Sequence, residues 1–373
     1  MSLTTVLIVQ EAVRRYRESF YTELHRLLDE RGIRLRLIES GRPDPESRGD
    51  QLVADWIEWV PSWTVRIAGR EAVWQRVVGA AKQADLVVVE QGSRLLSNLA
   101  LLGLQRLGGT PVAFWGHGRS FSDDASGAAE RLKVATSRRV HWWFAYNQQT
   151  VGIISQLGYP VERMTDVRNS TDTTRLRAAL RATDHQTARR QLGLGSGPIG
   201  LTLGALTTNK GLHMLFAAAD EVRDAIPDFE LLIVGDGNER AMVEAEVARR
   251  PWAHHRPPVY GTGLAQILAA STVMLTPAAA GLVVVDALAA GLPMVTCRDA
   301  DHGPEISYLR PDVDAIVVDD AQDVAGYARS VIRVLKDADL YAWLAGNAAE
   351  QGSTFGTEQM ARRFADGLVE ALA

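Results

Sequence analysis

The sequence predicts an α/β fold of two domains, each a parallel sheet with helices packed on its faces. Short and almost entirely apolar runs, as found in buried parallel strands, alternate along the chain with longer segments whose apolar residues have helical spacing. The alternation breaks once, in a turn-rich, charged and glycine-rich stretch between Asn169 and Gly197. Because 373 residues can bury two hydrophobic cores, we place a domain junction in that stretch.

The first half opens with a strand, an amphipathic helix that ends at Gly32, and a second strand, which together form a βαβ beginning. A further helix is predicted over residues 93–107. Each strand is followed by loop residues at one edge of the sheet, where open α/β sheets bind ligands. The predicted strands of this half are Thr5–Gln10, Ile33–Ile38, Ala84–Glu90, Pro111–Trp115, Val140–Ala145 and Met164–Val167.

Residues 56–76 are unusual because four tryptophans are interleaved with arginines. We favour an aromatic core with ordinary surface arginines. The alternative is a surface that stacks on sugars or contacts a membrane interface. The tryptophans are Trp56, Trp59, Trp63 and Trp74, and the arginines are Arg66, Arg70 and Arg76.

A second α/β series begins at Ile199 and ends in consecutive helices. Helices are predicted over 174–192, around Leu212 to Val222, from 262, and over 321–336, 338–350 and 355–372. The predicted strands are Ile199–Leu203, Phe229–Val234, Val259–Gly261, Val273–Thr276, Met294–Thr296 and Ala315–Val318. The direct inference is an architecture of two Rossmann-like domains.

Composition excludes several classes of protein. The net charge of −5 carries no general signal for nucleic-acid binding. The single cysteine, Cys297, rules out an internal disulfide and a cysteine metal cluster, and it reads as a buried strand residue in a reducing cytoplasm. No histidines stand at zinc-ligand spacing, so we expect no structural metal.

Membrane and export signals are weak in this sequence. The N-terminal residues lack a basic region and a sufficiently long apolar run, and no apolar run reaches about 18 residues anywhere. We therefore expect a cytoplasmic protein without a membrane span. Peripheral attachment at the inner face of a membrane stays open.

The stretch from Pro277 to Pro293 predicts a strand end, a loop of small residues and a helix that opens at Gly281. Exposed backbone N–H groups and the helix dipole make such a helix start an anion site. Asp286, on the second turn, is the only acid of the stretch. The alternative is a buried α/β helix behind a tight loop.

Three further residues are candidates for chemistry at strand ends. His117 lies between two glycines just past a strand, and we favour a functional role over that of an ordinary loop histidine. Lys210 opens a helix, where it is either a diphosphate-binding cation or a solvated lysine. Glu305 either caps its helix or holds the sugar side of a ligand.

These pieces occur in an order that resembles the retaining GT-B glycosyltransferases of family four over nearly the whole chain. In the first half, the matching segments are Tyr16-Arg17, Trp115 to Gly118, and Asn169 to Asp172. In the second half, they are Gly204 to Gly211, Val234 to Gly237, Gly281 to Ala287, Ala289 to Pro293, and Pro304-Glu305.

The resemblance implies two Rossmann-like domains facing each other across a cleft, residues 1–172 on the acceptor side and 173–354 on the nucleotide-sugar side. A C-terminal helix, 355–373, is expected to cross back to the first domain. The cleft would close on the donor. Reaction with retention of configuration is implied, without a cofactor or catalytic metal, because lysine and helix dipoles stabilise the leaving diphosphate.

Residue roles follow from the same resemblance. Lys210 and the backbone of Gly281 and Leu282 would bind the diphosphate, and Asp286 would bind the ribose hydroxyls. His117 and Arg119 would act at the sugar, and Arg15, Tyr16 and Arg17 lie on the acceptor side. The remaining donor-side residues are Gly235, Gly237, Tyr260, Gly261 and Glu305.

The pattern departs from the family at three places. The first acid of the family's paired glutamates is Ala278, a usual arginine is Ala205, and the glycine-rich N-terminal loop is replaced by Gln10 to Ala12. This favours altered donor handling in a divergent branch. The acceptor is a polysaccharide, a glycolipid or lipid-linked group, or a small natural product. Alternatives are a nucleotide-sugar epimerase, a phosphorylase, or a degenerate nucleotide-binding subunit of a partner enzyme.

Overall fold

The computed structural model describes residues 3–41, 51–67, 70–118, 131 and 134–373. The chain separates into two compact units, the first formed by Met1–Asn169 with Thr357–Ala373 and the second by Ser170–Gly356. Both are α/β units built on parallel sheets.

Within its described residues, the first unit contains a seven-stranded parallel sheet in the order β3-β2-β1-β6-β7-β8-β9. Its strands are β1 Thr4–Gln10, β2 Ile33–Glu39, β3 Ile57–Trp59, β6 Leu86–Glu90, β7 Val112–Gly116, β8 Trp142–Ala145 and β9 Met164–Asp166, and its helices include α1 Glu18–Asp29, α2 Val78–Ala81, α3 Leu96–Arg106 and α4 Gln148–Gln156. Apolar side chains are buried on both faces, as parallel strands require.

A hairpin of β4 Ser62–Ile67 and β5 Arg70–Gln75 lies between the third and sixth strands in the chain. The expectation of an aromatic core here is wrong, because the four tryptophans are 37–56% exposed. Trp63 and Trp74 form a cross-strand pair, so both side chains lie on the same, outward face of the hairpin. The inward face uses smaller residues, among which Val73 and Gln75 are buried.

The second unit, all of whose residues are described, has a six-stranded parallel sheet in the order β12-β11-β10-β13-β14-β15. Its strands are β10 Ile199–Leu203, β11 Glu230–Val234, β12 Ala253–Arg256, β13 Val273–Thr276, β14 Met294–Cys297 and β15 Ala315–Val318. Its helices are α5 Thr173–Arg181, α6 His185–Leu192, α7 Leu212–Ala225, α8 Arg240–Ala248, α9 Thr262–Ala270, α10 Val283–Ala290, α11 Val324–Lys336 and α12 Ala338–Gly352. Cys297 is completely buried in β14, as predicted.

One predicted strand of the second unit is in the wrong place. The strand lies at Ala253–Arg256 rather than Val259–Gly261, and His254 and His255 are half-buried in it. At the edge of the sheet a strand tolerates polar residues that can be bonded. His254 contacts Glu230 at 2.6 Å, and His255 contacts the carbonyl oxygen of Gly235 at 2.9 Å.

The last helix, α13 Thr357–Leu372, belongs to the first unit. Phe364, fully buried, stacks on Phe144 at a ring distance of 4.1 Å. It also meets the edges of Trp115 and Phe20 at 5.0 and 5.5 Å. The C-terminal helix is therefore part of the first hydrophobic core.

Candidate functional site

In the second unit, the loop after β13 is held by two neighbouring loops of the same sheet edge. The N–H of Ala279 donates to the carbonyl oxygen of Asn209 at 3.1 Å, and Lys210 Nζ donates to the carbonyl oxygen of Ala279 at 2.5 Å. On the other side, the N–H of Ala280 donates to His302 Nδ1 at 3.1 Å. These bonds fix the backbone that leads into α10.

Lys210 is half-buried, which excludes the interpretation as a freely solvated lysine. Burial lowers the pKa of its ammonium group from the ordinary value. Among the residues of the second unit, all of which are described, no carboxylate forms an ion pair with it. A desolvated cation without a carboxylate partner is suited to an anionic ligand.

His302, which was not among the predicted site residues, holds the loop after β13 through the N–H of Ala280. It is 7% exposed, and its Nε2 contacts the carbonyl oxygen of Cys297 at 2.6 Å. With Nδ1 accepting from Ala280, the ring is neutral and carries its proton on Nε2. Burial also lowers the pKa of His302, which favours the same neutral form of the ring. Its signal in the sequence was only its place after a predicted strand.

Helix α10 begins at Val283 rather than at the predicted Gly281, and the two residues before it present two backbone donors. In the fully described second unit, the N–H groups of Gly281 and Leu282 have no hydrogen-bond partner. Beside them lies Glu305, 4% exposed, in the 3-10 helix Pro304–Tyr308. A methyl group built on Gly281 would lie 3.8 Å from Glu305 Oε2. The carboxyl group of Glu305 therefore packs against the helix start.

Asp286 lies on the first turn of α10 rather than on the predicted second turn, and a residue of the junction segment fixes it. The hydroxyl of Thr171 donates to Asp286 Oδ1 at 2.8 Å. Burial raises the pKa of Asp286 to about 6, and the bond from Thr171 opposes this rise. Thr171 was part of the junction motif, but the sequence assigned it no contact with Asp286.

The other donor-side candidates lie along the same edge. A methyl group on Gly235 would lie 1.8 Å from the carbonyl oxygen of Gly204, and one on Gly237 would lie 2.2 Å from that of Leu206. The close approach of two loops therefore explains both glycines. Tyr260 is 50% exposed before α9, and Gly261 has a φ of +58°, which favours glycine.

In the first unit, a polar cavity of about 740 Å³ lies beside the ends of β1 and β6. Tyr16, which is 41% exposed, and Arg17, which is 6% exposed, both line it. The guanidinium carbon of Arg17 lies 5.0 Å from the Trp115 ring centre and 5.1 Å from that of Tyr16. Arg15 is exposed outside the cavity wall, whereas its neighbour Arg14 lines the cavity.

Glu90, the last residue of β6, also lines this cavity and was not among the predicted site residues. Its Oε2 accepts a hydrogen bond from the N–H of Glu11 at 2.9 Å. Burial raises the pKa of Glu90 to about 7. The signal available in the sequence was a carboxylate at the end of a buried strand.

His117 lies just past β7, with its ring 4.2 Å from that of Tyr146, another residue of the cavity wall. The ring is half-buried. The flanking glycines serve internal packing, since side chains there would meet Gln91 at 2.7 Å and Ile154 at 3.0 Å. Arg119 lies outside the described residues.

Metal clusters and membrane-spanning helices are both absent from the described ranges. They contain no group of three or more histidine, cysteine, aspartate or glutamate side chains arranged to hold a metal ion. Across the same ranges, each helix is too short or too polar to cross a membrane.

Known proteins resemble this chain at three levels. Residues 197–337 match the family described as "Glycosyl transferases group 1". The chain is 26% identical to the 2-deoxystreptamine glucosyltransferase of Streptomyces kanamyceticus, over 84% of this chain and 88% of that protein. It is 30% identical to the D-inositol 3-phosphate glycosyltransferase of Salinispora arenicola, over 49% of this chain and 43% of that protein.

Among solved structures, the chain is similar to HepE from Anabaena in complex with UDP, with a TM-score of 0.69 and 16% identity. The match covers 98% of this chain and 99% of that one. The predicted fold of two Rossmann-like α/β units, as in GT-B proteins, is thereby confirmed. The family match thus covers part of the second unit, whereas the similarity to the glucosyltransferase extends over most of the chain.

Proposed function

We propose that this protein transfers a sugar from a nucleotide-sugar donor to a small polyhydroxylated acceptor, with retention of configuration and without a catalytic metal. The observation that carries the proposal is the anion site of the second unit. There, Lys210 has no carboxylate partner, and the N–H groups of Gly281 and Leu282 have no hydrogen-bond partner within that fully described unit. A diphosphate satisfies all three groups.

Each residue then has a chemical role. Lys210 and the start of α10 stabilise the negative charge that develops on the leaving diphosphate. Asp286, oriented by Thr171, accepts hydrogen bonds from the ribose hydroxyls. Tyr260 contacts the base, and Glu305, beside Gly281, faces the sugar side. His117 and Arg119 act at the donor sugar.

The acceptor class rests on a different observation. The two relatives are named for acceptors that are hydroxylated cyclohexane rings, 2-deoxystreptamine and D-inositol 3-phosphate. The polar cavity of the first unit is of a size that suits such a ring. We therefore favour a small ring over a polymer or a lipid-linked group.

The test is to incubate the protein with UDP-, GDP-, dTDP- and ADP-sugars and ring acceptors, and to follow nucleotide release and the anomeric signal of the product by NMR. We expect one donor base to be preferred and the α-configured donor to give an α-linked product. A folded protein that neither transfers nor hydrolyses any donor contradicts an enzymatic role. A product of inverted configuration contradicts retention alone.

Replacing Asp286 with asparagine is expected to weaken binding of the preferred nucleotide sugar about tenfold, the size of a hydrogen bond to a charged group. Because the pKa of Asp286 is about 6, wild-type affinity is expected to fall as the pH drops from 7.5 to 5 and the carboxylate is protonated. The diphosphate of a nucleotide sugar does not titrate in this range. Calorimetry at both pH values checks this, with Asp339→Asn, at an exposed position of α12, as the control; equal pH dependence in wild type and Asp286→Asn contradicts the assignment.

Replacing Ala278 with glutamate restores the acid that the family resemblance leads one to expect. Ala278 lies next to Gly211, with 3.0 Å between its Cβ and a methyl group built on that glycine, and it is partly exposed. We expect the variant to change the ratio of kcat/KM between two sugars on the same nucleotide severalfold, while affinity for the free nucleotide changes less than twofold. Unchanged sugar preference with weakened nucleotide binding contradicts this interpretation.

A degenerate nucleotide-binding subunit is the second candidate, favoured by Ala205 and Ala278 at positions where the resemblance implies charged residues. It predicts nucleotide binding by calorimetry with turnover only after a partner enzyme is added. Epimerase chemistry predicts deuterium uptake into the sugar, and phosphorylase chemistry predicts dependence on phosphate.

A further inference from the structure

The side chain of Gln91, which follows β6, holds the backbone just after His117. The N–H of Gly118 donates to Gln91 Oε1 at 2.9 Å, and Gln91 Nε2 donates to the carbonyl oxygen of Gly118 at 3.3 Å. Because a backbone N–H can only donate, the first bond also establishes which end of the amide is the oxygen. One side chain therefore pairs both polar groups of a single loop residue.

A buried serine anchors the same amide from the other side. Gln91 Nε2 also donates to Ser137 Oγ at 3.0 Å, so both amide hydrogens and the amide oxygen are used. Ser137 is fully buried, and its carbonyl oxygen accepts the indole N–H of Trp143 at 2.9 Å. Trp143 lies in β8 and is itself fully buried. Gln91 is thus attached to the packed core of the first unit.

The two glycines beside His117 fit this side chain. A methyl group built on Gly116 would lie 2.7 Å from Gln91 Cβ, so a glycine at this position leaves room for the glutamine. Gly118 has a φ of +79°, which glycine adopts without strain, and in this conformation its N–H and its carbonyl oxygen both meet the Gln91 amide. Glycine backbone is otherwise free to adopt many conformations, so these hydrogen bonds select one of them.

His117 lies between the two glycines, and its ring packs against that of Tyr146 at 4.2 Å. We propose that Gln91 is a positioning residue, which fixes the backbone at Gly118 so that the imidazole of His117 keeps its place at the donor sugar. The proposal rests on the proposed function, in which His117 acts at that sugar. Gln91 itself need not touch the sugar, because it acts through the loop.

Replacing Gln91 with methionine keeps the length of the side chain and removes its three hydrogen bonds. We expect kcat for sugar transfer to fall about 10- to 100-fold, the size of loss caused by a misplacement of about 1 Å at a reacting centre. The KM for the donor is expected to stay within about threefold, because the diphosphate-binding groups of the second unit are unchanged. Gln91→Glu, which can still accept the N–H of Gly118, is expected to retain more activity than Gln91→Met.

The matched control is Gln105→Met in the same unit. Gln105 Oε1 accepts the N–H of Val112 at 2.7 Å, and its Nε2 donates to the carbonyl oxygen of Arg139 at 2.8 Å. This glutamine also joins two backbone segments, but at the start of β7 rather than at the end that leads to His117. We expect a similar loss of thermal stability in both variants, with kcat of Gln105→Met within about twofold of wild type. An equal fall in kcat in both variants indicates general destabilisation and overturns the proposal.

Two further measurements show whether Gln91 acts through His117. In a double-mutant cycle, Gln91→Met is expected to change kcat less than about twofold once His117 is replaced with glutamine, because the positioned group is gone. In NMR spectra, the Cε1–H signal of His117, assigned with His117→Gln, is expected to shift in Gln91→Met as the ring moves away from Tyr146. The same signal is expected to stay in place in Gln105→Met.

The possible failures are distinguishable. Additive losses of kcat in the cycle, or an unshifted His117 signal in Gln91→Met, overturn the proposal. A folded wild-type protein that neither transfers nor hydrolyses any nucleotide sugar overturns the proposed function instead. The NMR comparison needs no turnover, so it decides in either case whether Gln91 fixes His117.

Discussion

Replacing Lys210 with methionine is expected to lower kcat for sugar transfer by about 10²- to 10³-fold, the usual loss when one preorganised group that stabilises developing negative charge is removed. The ammonium group is desolvated, and no carboxylate of the fully described second unit pairs with it. Its charge therefore acts on an anionic ligand at nearly full strength. Methionine keeps the length and apolar volume of the side chain, so the change isolates the charge and its hydrogen bond.

Two measurements separate this electrostatic role from a structural one. Lys210 also donates to the carbonyl oxygen of Ala279, so the variant loses a bond within the loop. We therefore expect affinity for UDP to fall while affinity for uridine, which lacks phosphates, stays within threefold. Lys336→Met, an exposed lysine at the end of α11, is the control. Equal losses for UDP and uridine indicate a disordered loop and contradict a diphosphate contact.

Replacing Phe364 with alanine is expected to lower the free energy of unfolding of the first unit by about 3–5 kcal/mol, the range for large-to-small changes of buried aromatic residues. The ring is fully buried and contacts Phe144, Trp115 and Phe20. The variant leaves a cavity where the last helix meets the sheet and α1. The loss is large because neighbouring rings cannot collapse into the space.

Tryptophan fluorescence during urea unfolding follows this change, because most tryptophans report on the first unit. They are Trp56, Trp59, Trp63, Trp74, Trp115, Trp142 and Trp143. Val369→Ala, at a 41% exposed position of the same helix, is the matched control and is expected to cost less than about 1 kcal/mol. Equal stability of Phe364→Ala and Val369→Ala contradicts the packing of the last helix into this core.

Local sequence patterns predicted most of the architecture. Apolar runs and helical spacing predicted both parallel sheets, because buried strands and amphipathic helices differ in periodicity over a few residues. The pattern failed where neighbouring structure overrides local preference. In the edge strand Ala253–Arg256, polar histidines are tolerated because Glu230 and Gly235 bond them. The hairpin at 62–75 was missed because its tryptophans resembled core residues.

The candidate site was predicted in part. A helix start after small residues is a local feature, so Gly281, Leu282 and Asp286 were found from the sequence. His302 escaped notice because its role depends on bonds to Ala280 and Cys297 that only the folded loops create. The local sequence around Lys210 does not distinguish a solvated lysine from a buried one. The loop after β13, which is distant in the chain, determines that Lys210 is half-buried.

By itself, the sequence determined the α/β fold class and the loop of small residues that leads into α10, since each depends on periodicity or on neighbours in the chain. Only the tertiary structure decided which groups meet across long separations. Thr171 reaches Asp286 over 115 residues, and the N–H of Glu11 reaches Glu90 over 79. The physical reason is that both effects arise from packing between distant segments: the hydrogen bond from Thr171 orients Asp286, and burial raises the pKa of both carboxyl groups.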